Sequence, residues 1–192
     1  MLRKLCFPLI ALFLLAGCAA SNNTLSLEPK ITLPNKNPTL NATSISVSSV
    51  DNRTSKSLAE VNRNGALVVL SPSRDPRYLM QEAVEKQMAA RGFMISSPAN
   101  VNLVVQLNQL NAQVNEGSLR HNITVNSSVT VTATAPNGST KSRTFTRNYN
   151  NQELLGASNE KIEKALNTAL TDLINDMAND QELTQFIKQN AR

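Results

Sequence analysis

The first eighteen residues restrict this chain more than any later stretch. Met1-Leu2-Arg3-Lys4 is a short basic head, Leu5 to Leu15 is an apolar run broken only by Pro8, and small residues lead up to Cys18. This order reads as a secretory signal peptide over residues 1–17, which is cleaved and takes no part in the fold. The run is far shorter than the roughly 20 residues a spanning helix needs, and no later segment comes close. Cleavage leaves 175 residues and removes Arg3 and Lys4, so the formal charge falls from +5 to +3. An exported chain so near neutrality is not expected to bind nucleic acid.

Leu15-Ala16-Gly17-Cys18 has the form of a bacterial lipobox, in which the Cys18 thiol takes a diacylglyceryl group and the amino group freed by cleavage is acylated. Two acyl chains already hold a protein stably on a membrane, so the lipid bilayer is an expected partner through Cys18. Ala19 and Ala20 follow with no acidic residue, which favours the outer membrane, facing the periplasm. Cys6 leaves with the signal and Cys18 is consumed by lipid, so no disulfide can form within the mature chain. The fold must rest on its packed core, which about 150 residues can supply by burying close to 70% of the surface of the unfolded chain.

After Cys18, the stretch to Asn41 (residues 18–41) is expected to be a flexible tether, with Pro29, Pro34 and Pro38 among Ser, Asn and Thr. Leu25, Leu27, Ile31 and Leu33 signal that part of it can dock. Residues 42–192 then read as one α+β domain. Ile45 and Val47 alternate as a strand, Asp51–Asn64 reads as a polar loop, and Ala66–Leu70 is a second strand. Asp75 can cap a helix that starts at Pro76, carries the stripe Leu79, Met80, Ala83, Val84, Gln87, Met88 and Arg91, and stops at Gly92. Short apolar residues from Phe93 to Ile95 follow. The alternation Val101, Leu103, Val105, Leu107 then shifts to Leu110, Ala112, Val114, a change of parity that one bulged residue would produce. A turn at Asn115–Ser118 leads to the strand Ile123–Ala135, and Asn137-Gly138 to a hairpin partner at Lys141–Asn150. A long amphipathic helix at 159–178 and a short one capped by Asp180 close the chain. The sum is a mainly antiparallel twisted sheet with two long helices on one face.

These features together resemble the YajG-type lipoproteins of Gram-negative bacteria. The resemblance is carried by Leu15-Ala16-Gly17-Cys18, by Ser73-Arg74-Asp75, by Gln81–Met88 with Ala90-Arg91-Gly92-Phe93, and by Phe186–Arg192. It covers nearly the whole chain and implies an outer-membrane lipoprotein with no catalytic residues to carry over.

The mature chain holds a single histidine and no tryptophan, and it offers no evident nucleophile–base pair, paired carboxylates or metal-ligand set. No cofactor or metal is expected. His121, beside Arg120, is expected to have a structural or merely surface role, and Ser73 and Asp75 to be helix caps. The expected function is a noncatalytic binding or assembly module for an envelope protein, lipid or cell-wall partner. The alternative is an envelope hydrolase or transferase with a dispersed site. If Asn137-Gly138 is a two-residue loop, Val131 lies opposite Thr144 and Thr130 opposite Phe145. Lys141, Arg143, Phe145, Arg147 and Tyr149 then turn away from the helices as a candidate partner-binding face, three cations interleaved with two aromatic rings. A longer turn would reverse the parity, sending Phe145 and Tyr149 into the core.

Overall fold

A computed structural model describes residues 23–117, 120–154 and 156–191. The expected signal peptide and the expected lipidation site Cys18 lie outside the described residues. The strands are β1 (Thr24–Leu25), β2 (Ser44–Asp51), β3 (Ala59–Arg63), β4 (Ala66–Pro72), β5 (Met94–Ile95), β6 (Val101–Glu116), β7 (Arg120–Thr134) and β8 (Thr140–Leu154). The helices are α1 (Pro76–Arg91), α2 (Asn159–Asn179) and α3 (Glu182–Asn190). The architecture is α+β, as expected, but the sheet is mixed rather than mainly antiparallel. The meander β6–β7–β8 and the β3–β4 hairpin are antiparallel, whereas β2 pairs parallel with β5 and β6, β3 with β6, and β1 with β4. The parallel pairs of β2 and β3 with β5 or β6 arise because α1 carries the chain back across the sheet between β4 and β5, whereas β1 and β4 both precede α1 and are linked through the strap, β2 and β3. β3 occupies part of the stretch expected to be a loop.

The helical stripes fold as their spacing dictates. In α1 the buried residues are Pro76 and the seven expected stripe positions, and the Asp75 carboxylate accepts the Arg77 N–H. Gly92 ends the helix at φ 112°, and a Cβ there would come within 2.8 Å of the Asn37 carbonyl oxygen. In α2, Ile162, Leu166, Leu170, Leu173 and Ile174 are fully buried. α1 and α2 cover one face of the sheet, joined by the shorter α3 against β7 and β8. Buried Arg91 binds this layer together, its guanidinium donating to the carbonyls of Met177, Ala178 and Asp180 where α2 ends.

The segment expected to be a tether packs on the domain from Thr24 onward. Leu25, Leu27 and Leu40 are buried, Ile31 is partly buried, and Leu33 stays exposed. The backbone N–H groups of Ser26, Glu28 and Lys30 donate to the side chains of Glu163, Asn167 and Thr171, one per turn of α2. Two extended residues advance about 6.7 Å and four helical residues about 6 Å, so the extended chain and the helix keep step. This strap belongs to the domain.

Candidate functional site

Two surfaces require placement: the row expected on β8, and a groove beside the bulge of β6. The register decides the first. Val131 lies opposite Arg143 and Val129 opposite Phe145, one residue off the expected pairing. The loop has three residues, Pro136, Asn137 and Gly138, closed by the Ala135 N–H donating to the Ser139 carbonyl, with Gly138 at φ 81°. A three-residue loop with a left-handed glycine is an ordinary hairpin closure, and it reverses the parity.

Lys141, Arg143, Phe145, Arg147 and Tyr149 therefore share the helix-covered face, and the expectation that they turn away from the helices is corrected. Phe145 is buried and Tyr149 packs against the core. The cations meet acids from α2, α3 and the turn between them: Lys141 pairs with Glu182 at 2.6 Å, Arg143 bridges Asp180 at 2.9 Å and Glu182 at 2.8 Å, and Arg147 pairs with Asp176. Each exposed pair contributes little alone, but the row ties the edge strand to both helices.

With the apolar parity on the helix side, the opposite face of the sheet is left open. Every second residue of β7 from Asn122 to Thr134, and of β8 from Thr140 to Gln152, is Asn, Gln, Ser or Thr. β2 adds Ser44, Ser46 and Ser48, and β6 adds Gln109, Asn111, Gln113 and Asn115 beyond its bulge. Cross-strand contacts order the face, with Thr130 and Thr144 hydroxyls 2.9 Å apart, Thr132 and Ser142 at 2.8 Å, and the Asn148 amide donating to Asn126 at 2.6 Å. The signal was present in the sequence as period-two runs of uncharged polar residues. An apolar-periodicity reading passes over it because only the opposite parity reports a core.

The groove, of about 650 Å³, opens where two strands share one edge of β6. β2 leaves that edge opposite Leu107 and β3 joins it opposite Ala112, with the bulge between Leu107 and Gln109 in the gap. The bulge confirms the expected parity change. Amide side chains of Asn108, Gln109, Asn111 and Gln113 line the floor, and Thr54, Ser55 and Ser57 of the β2–β3 loop form the far wall. The loop is braced by buried Arg53, whose guanidinium forks onto Asp51 with two 3.0 Å bonds while Lys56 reaches the same carboxylate at 3.1 Å. Burial works to raise the Asp51 carboxyl, but hydrogen bonds from the Arg53 side chain and backbone and from Lys56 prevail and bring it down to about 2. The brace pairs the Arg53 charge with Asp51, and Glu60 of β3 is the other ionisable residue that lines the groove.

The remaining expected positions are quiet. Asp75 is a cap, the Ser73 N–H donates to the Leu25 carbonyl, and His121 is half-buried at the meander's end. Among the described residues no three His, Cys, Asp or Glu side chains converge to hold a metal, and no helix is long and apolar enough to cross a membrane.

The family model described as uncharacterised lipoprotein matches residues 29–188. The uncharacterised lipoprotein YajG of Escherichia coli strain K12 is 44% identical over 192 residues, covering all of both chains, and its counterpart in Escherichia coli O6:H1 matches to the same extent. Among solved structures, protein XCC0632 of Xanthomonas campestris superposes with a TM-score of 0.59 at 14% identity, over 86% of this chain and 96% of that one. This last likeness is one of fold.

Proposed function

Since the chain belongs to this family of uncharacterised lipoproteins, we propose that it is a noncatalytic binding module, held by acylated Cys18 on the periplasmic leaflet of the outer membrane, that offers its open sheet face and groove to an envelope partner. The observation that carries the reading is the pairing of a shaped 650 Å³ groove with an uncharged, hydrogen-bonding face on the side of the sheet the helices leave free. Binding sites are commonly concavities of this size with a few placed polar groups. The Asp51–Arg53 brace gives the groove a fixed wall, which lowers the ordering cost of binding. For the alternative hydrolase or transferase, the described groove residues assemble no paired carboxylates and no nucleophile with a base.

The docked strap supports a close approach to the membrane. Asn23, whose carbonyl accepts the Ser71 N–H, stands five positions after Cys18, and an extended chain of five steps spans at most about 18 Å. The domain would then sit beside the leaflet rather than range through the periplasm.

Photo-crosslinking residues placed at Thr146 and Gln113 on the open side, and at Lys164 on α2, test the reading in living cells. A discrete adduct is expected from the two open-side positions and none from Lys164. Adducts from Lys164 alone, or equally from all three, would reject it.

A further inference from the structure

The open face has a chemical bias that narrows what it can hold. Apart from Val50 and Val104, the outward positions of β2, β6 from Asn102 to Asn115, β7 from Asn122 and β8 to Gln152 are amides and hydroxyls, with no formal charge. Charge enters at its margins, with Arg120 at the start of β7 and with Glu60 and the Asp51-paired Arg53 at the groove, while Lys141, Arg143 and Arg147 are held by acids on the helix side. The central strands of this face offer little attraction to a phosphate-rich or otherwise ionic surface, and their two valines make only a small apolar patch, with other exposed apolar side chains at Leu67 and Val69 on β4 beyond the groove and at Leu154 at the end of β8. Each hydroxyl supplies one donor and two acceptor positions, and each amide two donors and an acceptor, so their mutual hydrogen bonds leave capacity on the solvent side. The complement is an uncharged ligand dense in donors and acceptors.

The two groups are not spread evenly. Hydroxyls dominate β7 and β8 near the hairpin, where Thr130, Thr132, Ser142 and Thr144 stand in paired rows. Amides dominate the groove floor, at Asn108, Gln109, Asn111 and Gln113. A side-chain amide presents a donor and an acceptor that pair with those of a secondary amide. Deepening the proposed binding role, and resting on it, we infer that the groove and open face bind an uncharged N-acetylated glycan strand, with N-acetyl groups on the amide floor and sugar hydroxyls on the Thr/Ser rows. Extended strands about 15 residues long give the face a length of roughly 50 Å, enough for a polymer rather than a single sugar.

The full-length lipidated protein in nanodiscs is mixed with an N-acetylglucosamine hexamer, a glucose hexamer or a neutral tetra-alanine peptide, and saturation transfer to ligand protons is recorded by NMR. Transfer to the N-acetyl methyls is expected, with the glucose hexamer and the peptide binding more weakly. Asn111→Ala with Gln113→Ala should weaken the sugar about tenfold, the loss of one or two hydrogen bonds. Thr144→Val, at an exposed position suited to a β-branched residue, should weaken it without disturbing the fold, and Arg147→Ser on the opposite face should leave it unchanged. No transfer from the sugar, equal or better binding of the glucose hexamer or peptide, or full binding by Thr144→Val and the double variant would overturn the inference. Loss of sugar binding with the open-side crosslinks intact would sink the glycan assignment alone, leaving the binding-module reading in place.

Discussion

Replacing Asn167 by Ala tests whether the N-terminal strap is held by its ladder along α2. The Asn167 side chain acts as a peptide mimic, its Nδ2 donating to the Ser26 carbonyl at 3.0 Å and its Oδ1 accepting the Glu28 N–H at 2.6 Å. Two hydrogen bonds at roughly 0.5–1.5 kcal/mol each set the gross loss near 2 kcal/mol, because water can reach both freed groups at this half-buried site. Alanine is the better helix former by about 0.6 kcal/mol, so the global loss should be only about 1–1.5 kcal/mol. The strap itself feels the whole change, since α2's improved propensity does not help it stay docked. Its local opening should become about tenfold or more easier, read as faster exchange of the Glu28 amide hydrogen at a pH where α2 amides stay protected. Hydrogen exchange followed by mass spectrometry, with urea unfolding in parallel, measures both quantities. Unchanged exchange at Glu28 would refute the Asn167 rung and leave the docking to Leu25, Leu27 and the remaining backbone contacts. A released strap would also lengthen the link to Cys18 and weaken the case for close approach to the membrane.

Four other perturbations have defined outcomes. Arg91→Ala leaves three carbonyls at the end of α2 without their buried donor and should cost about 3–5 kcal/mol in urea unfolding; a loss under about 1 kcal/mol would mean water replaces the guanidinium. Leu170→Ala, at a fully buried position, should cost about 2–5 kcal/mol, and an unchanged melting curve would show that the α2 face is not packed as described. Asp51, lowered from 3.8 to about 2, ties about 2 kcal/mol to its ionised form; that stability is present above pH 4 and lost as the pH falls through 2. Asp51→Asn should accordingly be less stable than wild type at pH 5, with the gap narrowing towards pH 2, and a pH-independent gap would contradict the assignment. Cys18→Ala should leave an uncleaved precursor that takes no lipid, visible in metabolic labelling with palmitate, whereas a labelled, cleaved variant would remove Cys18 from its role.

What the sequence determined by itself was everything written locally along the chain. The α1 and α2 stripes, the Asp75 cap, the Gly92 stop and the bulge between Leu107 and Gln109 each follow from short-range periodicity or a single residue's backbone preference, and each is where the pattern placed it. The family was likewise legible, since its motifs are runs of neighbouring residues. Tertiary structure decided what depends on counting across a gap or on a distant partner. One extra residue in the Pro136–Gly138 loop carried Phe145 into the core and brought Lys141, Arg143 and Arg147 against acids on α2, α3 and the turn between them. Short polar β3 took its place only by pairing with β4 and β6. The strap, polar and proline-bearing, was fixed by α2 side chains some 137–141 positions away. The groove has no local code at all, because it is the space left where β2 departs from β6 before β3 arrives. Local patterns fix which face of an element seeks burial, while loop length and long-range pairing fix which elements meet, and here only the meeting creates the surface available to a partner.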